Sequence, residues 1–284
     1  MIQRYSCYPV LMLILIAALM AASCATGPAA PEKGTPAFYW QAAKENYVAG
    51  DYVQTADHLE QIARKKSEFT ERALPWRLVL LAGLTRGYMD VAQQFELGSR
   101  ANKQSPAPLR KAMLDHRSFA SRYSLLFAES FEEFEKTNPP EELTLAFTAP
   151  PKGTLNPIMP LGQAAQGRMI SETDLANAQL ADLQKSVVFI ATRAVGAEGD
   201  TAKTREMLKD SAAKTPKKTF YLAMAMSLYE QSELHGPAKL DMPDRQKFFL
   251  EHASDALKGM EDSKVVKELK AKIDKALKAM PKRS

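Results

Sequence analysis

Apolar positions recur every three or four residues along most of the chain, the spacing that lines one face of an α-helix. No segment alternates convincingly with the period of two that marks a half-buried strand. The pattern predicts an all-α fold. Segments 38–49, 52–65, 74–86 and 89–100 read as four short helices forming two antiparallel hairpins. Gly50-Asp51 and Gly87 fall at the two breaks, where a glycine can end a helix. Pro75 lies near the start of the third helix, where a missing N–H is tolerated. Residues 107–136 read as one long helix, with Leu109, Met113, Phe119, Tyr123, Leu126, Phe127, Phe131 and Phe134 as its core stripe. Beyond residue 170, helices are expected at 171–195, 201–214, 220–234, 243–258 and 263–279, the first opened by a Ser171/Asp174 capping box.

Three stretches depart from this periodicity. Residues 10–22 are almost purely apolar. This run is nevertheless shorter than the roughly 18 residues needed to span a bilayer as a helix. A short polar start carrying Arg4, this apolar core and the small residues Ala21, Ala22 and Ser23 follow the pattern of a cleaved export signal. Residues 25–36 are rich in Pro, Ala and Gly and read as a flexible tether. Residues 137–170 hold six prolines and three glycines, and read as a Pro-rich connection between two helical regions, with a lid or partner-binding loop as the alternative.

Ala21-Ala22-Ser23-Cys24 resembles a bacterial lipobox, although the family prefers Leu where Ala21 stands. The resemblance implies cleavage between Ser23 and Cys24, a diacylglycerol on the Cys24 thiol and attachment to a membrane. Ala25 rather than Asp after the cysteine implies, by the same resemblance, the outer membrane, with the body facing the periplasm. Cysteine usage agrees with this reading. The chain has two cysteines, and Cys7 falls in the removed segment, so no disulfide or thiolate site remains in the body. An ordinary signal peptide releasing a secreted protein is the alternative.

Shifted by 36 residues, the two predicted hairpins align: Trp40 falls on Trp76, Tyr52 on Tyr88 and Ala56 on Ala92. Trp40/Ala56 and Trp76/Ala92 keep one spacing, with a small residue letting two helices approach beside a large aromatic. The arrangement resembles the tetratricopeptide repeat, with Lys44 and Leu80 replacing its small first-helix glycine. The resemblance implies a stacked array of helical hairpins over residues 37–136, and these six residues are expected to pack it. An ordinary antiparallel bundle is the alternative.

Charge and composition narrow the chemistry. Lys and Arg number 38 against 33 acidic residues, interleaved along the chain, which argues against a nucleic-acid partner. His58, His116, His235 and His252 are isolated, with no metal-binding spacing, and neither a phosphate-cradling loop nor a nucleophile elbow is present. No metal or cofactor is expected. Ser211 and Lys214 form an SxxK pattern without companions. Glu132, Glu133 and Glu135 read as the solvated end of a helix. The last helix sets Val265, Val266, Leu269, Ile273 and Leu277 against lysines, as a capping helix would. Two readings follow. One is a non-enzymatic, membrane-anchored scaffold or assembly factor of the bacterial envelope that holds a protein partner. The other is a lipid or small-molecule carrier.

Overall fold

The computed structural model describes residues 31–149, 159–197 and 199–280. Ser23 and Cys24, and the parts of the tether and Pro-rich segment at 25–30 and 150–158, lie outside these residues.

Helix α1 (Pro36–Ala49) begins where the Thr35 hydroxyl accepts the Phe38 N–H, and ends at Gly50, in the left-handed region at φ 84°. Asp51 N–H then bonds the Asn46 carbonyl, and the Asp51 carboxylate accepts the Gln54 N–H to start α2 (Tyr52–Lys65). Two residues thus cap two helices and turn the chain back, as expected at Gly50-Asp51.

The next element differs from the sequence expectation. Residues 74–86 and 89–100 are not two helices but parts of one, α3 (Thr70–Ala101), which has 32 residues. At the α-helical rise it is about 48 Å long. Gly87 does not break it, and Pro75 lies inside it rather than at its start. Residues 73–85 are buried on every side, so α3 is the central post of the molecule. Trp76, Tyr88 and Ala92, placed on two helices by the 36-residue register, therefore share one.

Helix α4 (Ala107–Lys136) has the predicted bounds and runs back along α3 after a turn in which the Asn102 side chain accepts the N–H groups of Gln104 and Ser105. Its stripe is mostly core, but Phe119 is 45% exposed.

The stretch 137–170 is not simply a connection. It holds strand β1 (Glu142–Leu145) and helix α5 (Met159–Ala165). Likewise 201–214 is not one helix: α7 (Thr201–Met207) ends early and strand β2 (Ala213–Pro216) follows. The strands pair antiparallel, Leu143 opposite Thr215 and Leu145 opposite Ala213. Leu143 and Leu145 point inward, and the buried Thr215 hydroxyl donates to the Ala194 carbonyl. This small sheet staples the first half of the chain to the second.

Between the strands lies α6 (Glu172–Ala194), opened as expected by the Ser171 hydroxyl accepting the Asp174 N–H. Helices α8 (Lys217–Leu234), α9 (Pro243–Ala256) and α10 (Lys264–Ala279) complete the fold. Val266, Leu269 and Ile273 of α10 are buried, while Val265 is 44% exposed. The protein is thus predominantly helical, ten helices and two short strands among the described residues. One core runs through α1–α4, α6 and α8–α10. A smaller one joins the far end of α3 to α5 and the start of α6. No helix among the described residues is long and apolar enough to cross a membrane.

Candidate binding groove

The six residues expected to pack a repeat are all buried, five of them in the main core, but not in equivalent positions. Trp40 and Trp76 meet edge to face at 5.6 Å, Trp40 also stacks on Phe69, and Tyr47 packs between Trp76 and Tyr52. Tyr88 stacks on Tyr123 of α4, at 5.5 Å and 5°. Ala56 is buried in the main core, and Ala92 borders a groove on α3.

The other singled-out residues are engaged separately. Ser211 occupies a positive-φ turn, and Lys214 pairs with Glu142 across the strands at 2.7 Å. Glu132 and Glu133 are not merely solvated: Glu132 meets His252 at 3.0 Å and Glu133 meets Arg77 at 3.4 Å. His116 bonds Gln179, and His58 lies beside Tyr39. His235 is fully buried, stacked on Phe249 at 5.0 Å, with burial holding its pKa down at about 4. Among the described residues no three His, Cys, Asp or Glu side chains are placed to hold a metal ion.

A groove forms instead along one face of α3. Thr85, Arg86, Met89, Asp90, Gln93 and Glu96 recur at helical spacing and face it. Helix α6 walls one end and α8 the other, with Lys239 at the rim. Three adjoining cavities of about 500, 270 and 170 Å³ compose it, with Asp90 bordering all three. The largest lies beside Arg86, Lys185, Val188, Phe189, Thr192 and Arg205. A separate cavity of about 490 Å³ lies across α6, between Tyr52, Tyr88 and Leu180.

The groove exists because α3 and α6 touch backbone to backbone. A Cβ on Gly83 would stand 2.6 Å from Val187 Cγ2, and one on Gly87 would stand 2.8 Å from Leu183 Cδ2. This contact brings Arg86 and Arg193 to one carboxylate on α8: Glu230 accepts from Arg86 Nη1 at 3.0 Å and from Arg193 Nη1 at 2.7 Å. Both guanidinium groups also lie over the Phe189 ring, at 3.9 and 4.2 Å from its centroid, in the geometry of a cation–π contact. At the other end, Arg117 donates to Glu96 at 2.7 Å and to the Lys239 carbonyl.

Asp90 and Asp182 are less closely paired than Glu230 and Glu96. Burial raises the Asp90 pKa, and the nearest cation, Arg86, stands at 3.9 Å. Burial and then the Asp90 charge push Asp182 up to about 6, with Lys185 at 3.9 Å. The hydroxyls of Thr85, Thr192 and Ser227 each donate to the carbonyl four residues back in their own helix. Held in this way, the hydroxyls present lone pairs to their surroundings. The arrangement offers fixed cations, desolvated carboxylates and acceptors, which is a means of recognition.

Of this set, only Arg86/Asp90 is signalled in the sequence, as an i,i+4 pair. Phe189, Arg193 and Glu230 carry no local pattern that would connect them to it. Comparison with known proteins adds no relative: no protein-family model, no curated protein and no solved structure matches this chain.

Proposed function

We propose that this chain is a lipid-anchored, non-enzymatic binding protein of the bacterial envelope that holds a protein partner in the α3 groove. The lipid on Cys24 attaches it to a membrane, the outer membrane on the residue that follows the cysteine, with the helical body facing the periplasm. One observation carries the binding reading: the groove is continuous along α3 from Thr85 to Glu96. That span is about 17 Å, the length of about three helical turns or of an extended segment of about five residues. Rigid elements wall it, charges line it in opposed pairs, and tethering to a membrane raises the local concentration of an assembly factor.

The test is photo-crosslinking in living cells from reactive side chains at Met89 and Gln93, followed by mass spectrometry. A dominant envelope-protein adduct that disappears in Arg86→Glu supports the reading. Absence of any protein adduct, with a lipid or metabolite co-purifying, overturns it in favour of a carrier. The cavity of about 500 Å³ beside Phe189 favours that second reading, since it lies on the scale of small-molecule sites.

A further inference from the structure

The middle cavity of the groove, about 270 Å³, gathers buried hydrogen-bond acceptors beside two cations, Arg86, which is committed to Glu230, and Lys239 at the rim. Gln231 lines it and is 3% exposed, and its buried Oε1 has no hydrogen-bond partner among the described residues. Thr85 and Ser227, also buried, line the same space with hydroxyl protons already given to Leu81 and Ala223. Asp90 borders it, in loose contact with Arg86. The other acids are engaged: Glu230 by two guanidinium groups, Glu233 by the Tyr229 hydroxyl. Met89, Ile190 and Ala82 supply an apolar wall.

A buried acceptor left unmet costs about 1–3 kcal/mol, and more when the group is charged. The missing group must therefore bring N–H donors, and a positive charge on it would answer Asp90, which Arg86 meets only at 3.9 Å. An anion would meet the Gln231 oxygen, the two hydroxyl lone pairs and the Asp90 and Glu233 carboxylates, with Arg86 already held by Glu230 and Lys239 left to attract it only at the rim. A purely apolar group would leave Gln231 and Asp90 as they are.

We propose that this cavity is a binding site for an ammonium or guanidinium group, with Asp90 as its counter-ion and Gln231 Oε1, Thr85 Oγ1 and Ser227 Oγ as its neutral acceptors. The methylenes behind the head group lie along Met89 and Ile190. Within the partner reading above, on which this part rests, the group is a Lys or Arg side chain of the bound segment. A free amine offers the same chemistry.

The test uses the full chain carrying ¹⁵N-labelled glutamine, titrated with methylguanidinium chloride and, separately, with a capped alanine pentapeptide bearing a central Arg. The Gln231 side-chain amide is expected to shift with both probes. Asp90→Asn is expected to weaken binding about tenfold, the scale of one charge-assisted contact. Gln231→Met, similar in volume, should also weaken it while leaving the melting temperature close to that of the parent. Peptide binding at least about tenfold tighter than methylguanidinium assigns the group to a polypeptide; equal affinities assign it to a free amine, and both outcomes support the cavity's chemistry. No shift at Gln231 with either probe, or an equal shift with sodium acetate, overturns it. A cavity that binds methylguanidinium while crosslinking yields no protein would leave this site standing and remove the partner reading.

Discussion

Gly87 of α3 lies so close to Leu183 of α6 that a Cβ on the glycine would stand 3.0 Å from the Leu183 Cα. Four residues earlier Gly83 meets Val187 in the same way, its Cβ 2.7 Å from the Val187 Cα. Near the end of α3 a Cβ on Gly98 would overlap the Ala164 carbonyl of α5. Three glycines of one helix thus mark where elements from the second part of the chain rest on it. Glycine inside a helix costs about 0.5–1 kcal/mol relative to alanine, and here the close packing it permits offsets that cost.

Glycine-to-alanine exchange should therefore change sign with position. The new methyl of Gly83→Ala would stand 2.7 Å from the Val187 Cα, closer than real contacts allow. That variant is expected to lose about 2 kcal/mol, because overpacking against backbone outweighs the gain in helix propensity. Around Gly162 in α5 nothing lies within 4 Å of the new methyl. Gly162→Ala should instead gain about 0.5 kcal/mol. Urea unfolding of both variants checks this, and a stabilised Gly83→Ala would remove the close-contact account.

Arg77 is buried in α3 between Glu60 of α2 and Glu133 of α4. Removing one partner of a buried ion pair leaves a desolvated charge, which costs about 3–5 kcal/mol. Glu60 is itself partly exposed, so Glu60→Ala should cost less, about 2 kcal/mol, while exchange of Arg77 and Glu60 together for Met and Leu should cost less than the single change. A double-mutant cycle by thermal or urea unfolding gives the coupling directly. Independent, additive effects would show that the pair is not coupled.

Two buried groups should give pH dependences of opposite sign. Asp182, raised to about 6, holds its proton more tightly folded than unfolded, so its contribution to stability is greatest below pH 3.8 and is lost as pH rises through 6. His235, held at about 4, binds its proton less tightly when folded, so stability falls as pH drops from 6.5 towards 4. Between pH 4 and 6 the two slopes oppose each other. Asp182→Asn should gain about 1 kcal/mol at neutral pH, less than the full shift implies because the change also removes the carboxylate's attraction to Lys185 and Arg86. The same variant should expose the histidine slope, measured as urea midpoints across the acidic and neutral range. Carboxyl-carbon NMR should place the Asp182 midpoint near 6, and a midpoint at the ordinary 3.8 would contradict the burial argument.

Cys24→Ser should abolish metabolic labelling with an alkyne palmitate and release the body from the membrane fraction. Labelling that persists in the variant would remove the anchor from the proposed function.

The helices themselves were legible locally. Gly50-Asp51 announces a turn because one residue must adopt positive φ and the next must offer a capping carboxylate. The bounds of α4 follow from an uninterrupted apolar stripe. The continuity of α3 was also legible in principle, since residues 73–85 contain a single fully charged side chain, Arg77, and a helix without a polar face must be buried all round. Gly87 masked that signal. Locally a glycine inside a helix and a glycine ending one look alike, and only the presence of Leu183 against its backbone distinguishes them.

The strands lay beyond local reading for a different reason. Leu143 and Leu145 alternate within a very short segment, and β1 acquires its hydrogen bonds from Ala213–Pro216, in the other half of the chain. The groove is subject to the same limit. Spacing on α3 brings Arg86, Asp90 and Gln93 to one face, because helical geometry is local and repeats with every turn. It does not bring Glu230 to Arg86 and Arg193, or set the unpaired Gln231 oxygen in one cavity with Asp90. Those positions depend on how closely α3, α6 and α8 can pack, which is decided by side-chain volumes meeting across the core. The sequence by itself therefore determined the helical class and the caps, and it alone suggests the anchor. The tertiary structure decided which charges share a cavity, because that is set by long-range packing to which no single segment carries the complement.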